Sequence, residues 1–401
     1  MKIPFSPPDI GQAEIDAVVE AIRSSWITTG PRTEELSKRA AEMCHVPYAA
    51  CMNSATACHE SAMRLLGIGE GDEVIVPAYT YTASASVIEH VGAKPVIVDT
   101  ARGSFHISYE ALEKAITPKT KAVVPVDLGG VLCDYDKIIE IVESKRSMFR
   151  PKNDIQKAIG RIAVAADGAH SFLAERKDGK RSGELADFTS FSFHAVKNFT
   201  TAEGGVLAWK PIGGFDGKDI KKTLALMSCH GQDRGFKSEG EKPFWEYDVM
   251  FTGYKNNMTD ILAAIGLVQL DRADEIMAKR RCIVSRYNEE LLGINGVSII
   301  NHFETLGSSC HLYQVRFPGK DESFRNEFMN RMLEKGVTTN VHYKPLPLLT
   351  AYRKLGFDIS DYPNAYEMYK NEVTLPLFTL LTDEQIDFVI KAFKQTCKEM
   401  L

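Results

Sequence analysis

The chain has 401 residues, of which 44% are hydrophobic and 25% are charged, an ordinary composition for a globular protein of two or three domains. Its 48 Lys and Arg residues against 53 Asp and Glu residues give a net charge of −5, which argues against a nucleic-acid partner and a polybasic membrane anchor. The apolar segments are too short to cross a bilayer, and the first residues lack the apolar stretch of a secretory signal.

The cysteine and histidine patterns indicate reduced thiols and no metal site. The eight cysteines contain no C-x-x-C pair, and several stand among apolar residues, as in proteins of a reducing compartment. The ten histidines show neither an H-E-x-x-H motif nor a similar spacing. We therefore expect a cytoplasmic protein without a metal ion.

Short apolar segments alternate with helical patterns from Tyr48 onward. The helical segments after the first two apolar segments end at Gly67 and Gly92, the residue type expected just beyond a helix. Such alternation predicts a mostly parallel sheet covered by helices, with ligands bound beyond the carboxyl ends of its strands. Seven segments are short and rich in β-branched or aromatic residues, as buried strands are, and they begin at Tyr48, Glu73, Lys94, Lys121, Arg161, Asp187 and Gly204.

Three segments interrupt or follow this pattern. Residues 146–160 predict an inserted loop or helix, and residues 210–222 predict a polar, glycine-rich loop. Residues 232–247 have neither a helical nor a strand period and predict an exposed excursion. The sequence assigns no purpose to the excursions at 146–160 and 232–247.

A second, smaller domain is predicted in the last third of the chain. One long amphipathic helix is expected over residues 259–292, capped by Thr259 or Asp260. Beyond it, strand patterns at 311–317 and 337–343 and helical patterns at 324–336 and 382–400 predict a small α+β domain. The predicted domains are an N-terminal arm at 1–14, a large domain at 15–258, and a connector helix with the small domain at 259–401.

An aspartate and a lysine after successive strands carry the strongest chemical signal. Asp167 ends a strand in AADGAHSF, and Lys197 follows the next one in SFSFHAVKNFTTAEGG. A desolvated lysine forms a Schiff base with an aldehyde cofactor. Pyridoxal phosphate (PLP) also needs a carboxylate against its ring nitrogen and donors for its phosphate. Either residue alone is more typical of a helix cap or a solvated loop, whereas the pair favours a PLP site.

Several longer motifs follow one another along nearly the whole chain. They are IPFSPPDIGQAEIDAV with WITTGP, NSATACHESAMRLLGIGEGDEVIVPAYTYTASASVIEHVGAKPVIVD, SFSFHAVKNFTTAEGG, VHYKPLPLL and VTLPLFTLLTDEQIDFVI. Together they resemble the motifs of the DegT/DnrJ/EryC1/StrS family of sugar-nucleotide aminotransferases, which are fold-type-I PLP enzymes. The resemblance implies an α/β fold, with a large domain built on a mostly parallel sheet and a small α+β C-terminal domain.

The resemblance also implies roles for four residues around the cofactor ring. Lys197 would hold PLP as the internal aldimine and move a proton between cofactor carbon atoms, and Asp167 would keep the ring nitrogen protonated. His170 occupies the family's Gln-or-His position and would contact the ring or its 3-hydroxyl, with a structural hydrogen-bonding histidine as the alternative. Tyr81 matches the aromatic residue that stacks on the ring, with a core aromatic as the alternative.

Five further residues are candidates for holding the cofactor phosphate. Thr56 and Ala57 stand at a predicted helix N-terminus, where backbone N–H groups favour an anion, and Ser192 would add a hydroxyl. A strand serine facing a helix is the alternative for Ser192. The sequence GYKNNM resembles the motif with which a second subunit closes the site, so either Lys255 or Asn256 would donate to the phosphate. A shared site implies a homodimer.

The resemblance implies transamination, because the family's dehydratases have histidine where Lys197 stands. The expected reaction moves an amino group from an amino acid, with glutamate as the expected donor, to a nucleotide-linked keto-sugar. Asp127 and Gly129 replace the His and Tyr that are usual in the family, so the substrate is less closely defined than the chemistry. A non-catalytic PLP-binding regulator and a transaminase of an amino-cyclitol precursor stay open as alternatives. The nucleotide, the sugar and the position of amination are not defined.

Overall fold

The computed structural model describes residues 1–233 and 246–401. Strands occur at all seven predicted positions and in a second group further along the chain. In chain order the strands are β1 Tyr48–Met52, β2 Glu73–Pro77, β3 Lys94–Val98, β4 Thr120–Val123, β5 Ala163–Asp167, β6 Phe188–Ser192, β7 Gly205–Trp209, β8 Gln232–Asp233, β9 Asp248–Val249, β10 Ser298–Ile299, β11 Tyr313–Arg316 and β12 Glu372–Leu375.

The helices separate most of these strands, as the alternating pattern predicts. Within the described ranges, no helix is long and apolar enough to cross a membrane. In chain order the helices are α1 Gln12–Arg23, α2 Pro31–Met43, α3 Ala55–Leu65, α4 Ala83–His90, α5 Tyr109–Ala115, α6 Tyr135–Ser144, α7 Asp154–Ile159, α8 Gly217–Ser228, α9 Asp260–Asp271, α10 Ala273–Leu291, α11 Glu322–Glu334, α12 Thr350–Lys354, α13 Pro363–Tyr369 and α14 Asp383–Met400.

Local capping residues set several helix ends. The Ser54 hydroxyl accepts a hydrogen bond from the Ala57 N–H at the start of α3, and Gly67 beyond its end has a φ of +67°, a conformation that glycine adopts without strain. At α14, Thr382 and Gln385 form the reciprocal capping box. The predicted cap at Thr382 and the predicted helix end near Gly67 are therefore confirmed.

The large sheet has seven strands in the order β1-β7-β6-β5-β4-β2-β3. Every neighbouring pair is parallel except those that involve β7, which runs antiparallel to both β1 and β6. The strands other than β7 thus point the same way, and their carboxyl ends meet at one edge of the sheet. The prediction of a mostly parallel seven-stranded sheet is confirmed.

A second core lies in the C-terminal part of the chain. The antiparallel strands β10, β11 and β12 form a three-stranded sheet. Helices α10, α11 and α14 pack on this sheet through Val284, Phe328 and Phe393. Ile3 from the N-terminal arm is buried in the same core. The domain boundaries themselves remain our proposal.

The expectation of one long connector helix is wrong. The chain forms α9 and α10, which are separated by Arg272. The Arg272 side chain binds Asp9 and Glu14 near the N-terminus. Helix α9 and the first turns of α10 bury residues in one core, and the rest of α10 buries residues in the core of the C-terminal sheet. These tertiary contacts bend the chain at a residue that has no helix-breaking side chain. Of the two residues predicted to cap the start of this helix, Thr259 does so, because its hydroxyl accepts a hydrogen bond from the Leu262 N–H.

The expected strand at 337–343 is also wrong. This segment makes only isolated bridges, one between Val337 and Ile3 and one between Asn340 and Thr374. The His342 N–H, two residues beyond Asn340 and so next in line for a strand ladder, binds the Glu372 side chain at 2.9 Å. A side-chain acceptor therefore takes the donor that a continuous strand ladder would use.

The three irregular segments differ from one another. The 146–160 insertion contains a single 3-10 turn at Arg146–Met148 and the helix α7, which agrees with the predicted loop or helix. The expected loop at 210–222 is wrong in its second half, because Asp216 caps α8 there. At the third segment β8 pairs with β9, and residues 234–245 lie outside the described residues.

Candidate active site

A cavity of about 510 Å³ opens at the carboxyl edge of the large sheet. It is bounded by the N-terminus of α3, the segments that follow β2, β5 and β6, and the 342–343 segment. Ala57, Lys255 and Asn256 are not among its lining residues. The predicted site residues that do line it are Thr56, Tyr81, Asp167, His170, Ser192 and Lys197.

Lys197 lies in the turn that joins β6 to β7. Its backbone N–H binds the His194 carbonyl at 2.9 Å, which closes the turn. Burial lowers the pKa of the Lys197 amine to about 8, while the charge of Asp167 opposes that shift. A substantial fraction of the amine is therefore neutral near pH 8 and able to act as a nucleophile.

Asp167 is held at the end of β5 by donors on both carboxylate oxygens. The Ser84 hydroxyl donates to Oδ2 at 2.5 Å, and the Ala169 N–H donates to Oδ1 at 3.1 Å. The Ser84 oxygen also lies 2.7 Å from the Thr80 hydroxyl. Since Ser84 gives its proton to the carboxylate, Thr80 is the donor in that second bond. This hydroxyl chain fixes the position of the carboxylate at the cavity wall.

His170 is part of a ring cluster beside the lysine. Its Nδ1 accepts a hydrogen bond from the Gly129 N–H at 3.1 Å, and its Nε2 lies 3.0 Å from the Tyr343 hydroxyl. Burial and the neighbouring Lys197 hold the pKa of His170 well below its usual value. The ring is therefore neutral, and because Nδ1 accepts, Nε2 carries the proton and donates to Tyr343.

The N-terminus of α3 forms another wall of the cavity. Ala55 and Thr56 line the cavity, whereas the Ala57 N–H is already bound to the Ser54 hydroxyl at 3.1 Å. A Cβ at Gly205 would come within 2.4 Å of the Ala55 nitrogen, so only glycine allows β7 to approach the helix this closely. Backbone donors of Ala55 and Thr56 are thus available to an anion, and the donor predicted at Ala57 is in use.

The predicted stacking residue lies at the mouth of the cavity. Tyr81 is 57% exposed, and its ring centroid is 5.6 Å from that of Tyr343. A tyrosine of the core would be buried, as Tyr79 is. The position of Tyr81 therefore agrees with a ligand-contacting aromatic residue better than with the core alternative.

The two residues expected to act across a subunit interface lie away from the cavity of their own chain. The Lys255 amine contacts the Asn257 side chain at 2.5 Å, and the Asn256 carbonyl accepts from the Asn53 N–H at 2.8 Å. The Asn256 Oδ1 is buried without a hydrogen-bond partner in the described structure. Their role toward a partner's phosphate remains a prediction.

The structure brings further residues to the cavity that the motifs did not single out. His59 on α3 is buried beside Ser190, and its Nε2 has no hydrogen-bond partner among the described residues. His342 and Tyr343 line the opposite wall. Their sequence VHYKPLPLL was recognised as a motif, but nothing in its pattern says which side chains face the cavity.

Asp127, which stands where the family usually has histidine, lines the cavity but binds mainly within its own loop. Its carboxylate accepts from the Cys133 N–H, the Tyr135 hydroxyl and the Ser171 hydroxyl. Burial raises the pKa of Asp127 to about 6. Gly129, the neighbouring departure from the family pattern, contributes the N–H that orients His170.

These residues fit PLP in chemical type. The buried amine of Lys197 suits an aldehyde, the carboxylate of Asp167 suits a protonated ring nitrogen, and the free N–H groups at the start of α3 suit a phosphate. All three face one cavity at the carboxyl edge of the sheet. Fold and site together define the class of α/β enzymes that depend on PLP.

Comparisons with known proteins agree with this class. The sequence model of the DegT/DnrJ/EryC1/StrS aminotransferase family matches residues 8–394. The putative sugar aminotransferase Spr1654 from Streptococcus pneumoniae, in its PLP-form, is 49% identical with a TM-score of 0.95, and all of both chains is covered. The spore coat polysaccharide biosynthesis protein SpsC of Bacillus subtilis is 33% identical over 99% of this chain and 97% of its own. Protein MJ1066 of Methanocaldococcus jannaschii is 35% identical over 99% of this chain and 98% of its own.

The chain belongs to the DegT/DnrJ/EryC1/StrS aminotransferase family. It is a PLP-dependent transaminase with the fold-type-I architecture. The family resemblance, the fold class and the cofactor expected from the motifs are confirmed.

Proposed function

We propose that this transaminase moves an amino group from an amino acid, with glutamate as donor, to a nucleotide-linked keto-sugar. The observation that carries the proposal is the pairing of Lys197 and Asp167 in one cavity, beside free backbone donors at the start of α3. This arrangement supplies an attachment point, a charge partner and an anion site for one cofactor.

Each of these residues has a distinct task. PLP, when bound, supplies an electron sink that stabilises a carbanion next to the transferred nitrogen. The Lys197 amine would hold the cofactor through its aldehyde, and as a free amine it would move a proton from one carbon to another. Asp167 would keep a proton on the ring nitrogen, and the Tyr343 hydroxyl, which accepts from His170, would be free to donate to a ring substituent.

Among the described residues, neutral groups line the part of the cavity that would hold the phosphate. Ala55, Thr56 and the Ser192 hydroxyl line this part of the cavity. Neutral donors at a helix N-terminus bind a dianion through their dipoles. The proposal therefore agrees with a chain whose net charge is −5.

Two relatives support a sugar acceptor. SpsC is a spore coat polysaccharide biosynthesis protein, and Spr1654 is a putative sugar aminotransferase. The cavity opens to solvent beside the exposed Tyr81. A large acceptor can thus enter with its nucleotide outside the cavity, and both half-reactions use the same lysine, which predicts ping-pong kinetics.

The test combines spectroscopy with a substrate screen. Glutamate added to the purified PLP-loaded protein should convert the visible absorbance of the lysine-bound cofactor to that of the pyridoxamine form. The product is then offered a panel of keto-sugar nucleotides and an amino-cyclitol precursor, and amine transfer is detected by mass spectrometry. Transfer of the amine to a keto-sugar nucleotide supports the proposal. Transfer to the cyclitol precursor alone contradicts the proposed sugar acceptor. A spectrum that no amino donor changes indicates a non-catalytic PLP-binding regulator.

We also propose a homodimer in which Lys255 or Asn256 of one subunit completes the phosphate site of the other. Neither residue lines the cavity of its own chain, as expected of residues that act on the site of a second subunit. A complementation experiment tests this arrangement. Lys197→Ala protein is mixed and reassembled with the Lys255→Ala, Asn256→Ala double variant, and about one quarter of wild-type activity should return. Mixtures that stay inactive while forming mixed dimers would contradict a shared site.

We place the protein in the cytoplasm. All eight cysteines are free thiols, and five of them, such as Cys44 and Cys58, are buried. Free thiols in this number are typical of a reducing compartment. Fractionation of cells that produce the protein tests this placement.

A further inference from the structure

His342 forms a wall of the cavity and is held between two aromatic rings. Its ring stacks on Phe5 with a centroid distance of 5.4 Å and meets Tyr343 edge-on at 4.9 Å. Among the described residues, its Nε2 has no hydrogen-bond partner, and the ring lines the cavity that also contains Lys197. This nitrogen is therefore available to a bound molecule.

A buried hydrogen-bond chain leads away from the other nitrogen of the ring. The His342 Nδ1 lies 2.9 Å from the Thr374 hydroxyl, and that hydroxyl lies 2.5 Å from the Glu372 Oε1. The Glu372 Oε2 accepts from the His342 backbone N–H at 2.9 Å. Both Thr374 and Glu372 are fully buried in β12.

The single proton of the Thr374 hydroxyl allows this chain two arrangements. When Glu372 is ionised, Thr374 donates to it and must accept from Nδ1–H, which leaves Nε2 with a lone pair. When Glu372 is protonated, it donates to Thr374, and Thr374 donates to Nδ1. The proton of the neutral ring is then on Nε2. The charge of Glu372 thus selects the tautomer of His342.

We propose that Glu372, acting through Thr374, is a positioning residue that decides whether His342 presents an acceptor or a donor to the sugar acceptor in the cavity. The inference rests on the proposed function for the identity of the bound molecule. The tautomer of His342 is a property of the chain itself and does not depend on the proposed function.

The surroundings of Glu372 leave both arrangements accessible. Burial raises the pKa of Glu372 to about 8, against the lowering effects of Thr374, the His342 N–H, Arg325 and Gln314. Burial and the charge of Lys197 lower the pKa of His342 to about 3, so its ring stays neutral in both states. The remaining titratable or charged groups around Glu372 are Arg316, Tyr79 and Tyr343.

The tautomer is measured by nitrogen NMR on the full chain with PLP bound and with ¹⁵N-labelled histidine. The signals of His342 are assigned by their loss in His342→Gln. Glu372→Gln removes the charge while its carbonyl keeps the His342 N–H bond, so its amide donates to Thr374. Thr374→Val interrupts the chain, Thr374→Ser keeps it, and Glu110→Gln changes an exposed glutamate that pairs with Lys114.

In the wild type, the protonated nitrogen should change from Nε2 below the pKa of Glu372 to Nδ1 above it. Glu372→Gln should hold the proton on Nε2 at every pH, and Thr374→Val should remove the pH dependence. Thr374→Ser and Glu110→Gln should follow the wild type. A His342 tautomer that is the same in the wild type and in Glu372→Gln over the whole pH range overturns the proposal.

Kinetics with the keto-sugar acceptor separate this inference from the proposed function. At a pH above the pKa of Glu372, the Glu372→Gln variant should raise the KM for the acceptor by about five- to tenfold, the value of one hydrogen bond, with little change in kcat. Thr374→Ser, which keeps the chain, should have the wild-type KM. If no acceptor is aminated at all, the proposed function fails, while the NMR result still decides the role of Glu372. If the KM for the acceptor is unchanged in Glu372→Gln, the proposal that Glu372 affects acceptor binding through His342 is overturned.

Discussion

Lys197 and Asp167 act on each other across the cavity, and burial decides the balance. A negative carboxylate alone would raise the pKa of the lysine, yet the pKa falls to about 8 because the amine has lost its water. The donors from Ser84 and Ala169 stabilise the Asp167 carboxylate in the same buried setting. The site thereby holds a hydrogen-bonded carboxylate beside an amine that is half neutral near pH 8.

The first prediction concerns the attachment of PLP to the cofactor-free protein. Only the neutral amine attacks the aldehyde, so the attachment rate should rise with pH through about 8 and then level off. Stopped-flow absorbance at a fixed PLP concentration measures the rate. Lys197→Ala should show no such absorbance change and no amine transfer. A rate that is constant across this pH range would contradict the lowered pKa.

The second prediction concerns Ser84. Ser84→Ala removes the hydroxyl that donates to the Asp167 Oδ2, so the carboxylate loses a charge-assisted hydrogen bond. We expect kcat to fall by roughly tenfold, as the loss of such a bond implies. Ser86→Ala, on the same helix, is the matched control and should behave like the wild type. Steady-state kinetics of both variants decide the matter, and equal kcat values would refute the role of Ser84.

At the scale of elements, helix α3 has two tasks at the same end. Its cap Ser54 stabilises the helix by binding the Ala57 N–H, while Ala55 and Thr56 keep their N–H groups toward the cavity. Helix α5 starts with the same kind of cap, since Ser108 accepts from the Ala111 N–H. The two helices therefore offer a matched comparison between a structural cap and a cap at the cofactor site.

The third prediction uses this comparison. Ser54→Ala and Ser108→Ala should each lower the free energy of unfolding by about 1 kcal/mol, the usual contribution of an N-cap. Only Ser54→Ala should also weaken PLP binding, because it loosens the turn that aims the N–H groups at the phosphate. Urea denaturation and PLP titration by fluorescence measure the two effects. An equal loss of PLP affinity in both variants would show that the cap has no specific role at the site.

At the scale of the whole molecule, the two cores meet at the 337–343 segment. Val337 pairs with Ile3 of the arm, Asn340 pairs with Thr374 of β12, and His342 reaches the cavity of the large sheet. The Tyr79 hydroxyl, from the large-domain side, binds the His342 carbonyl at 3.0 Å. The buried Glu372 lies behind this junction, so its protonation affects the stability of the assembled fold.

The fourth prediction follows from that position. Burial raises the folded-state pKa of Glu372 from 4.5 to about 8, so between these values the native state binds more protons than the unfolded state. Stability should therefore be greatest at low pH in this window and should decline as pH rises through about 8, by at most about 1.4 kcal/mol per pH unit for this residue.

Glu372→Gln should flatten this decline, and Glu110→Gln, whose exposed carboxylate pairs with Lys114, should leave it in place. Thermal unfolding across the window measures the slopes. A wild-type slope equal to that of Glu372→Gln would contradict the raised pKa.

Local sequence patterns were enough to predict the strands of the large sheet and the chemistry of the site, but not the break between α9 and α10 or the irregular 337–343 segment. The apolar strand segments, the glycine beyond α3 and the cap at Thr382 act through neighbours in the chain, so local pattern was sufficient to predict them. Lys197 and Asp167 were recognisable because each follows a strand, and the carboxyl ends of parallel strands meet at one edge.

Features that depend on contacts between residues far apart in the chain could be read from the tertiary structure alone. The bend at Arg272 arises from ion pairs with Asp9 and Glu14. The hydrogen bond from the Ser84 hydroxyl to Asp167 joins residues that follow two different strands. These contacts lie far apart in sequence and leave no periodic signal. The pKa values of buried groups have the same origin, since desolvation depends on every element packed around the group and not on the residues beside it in the chain.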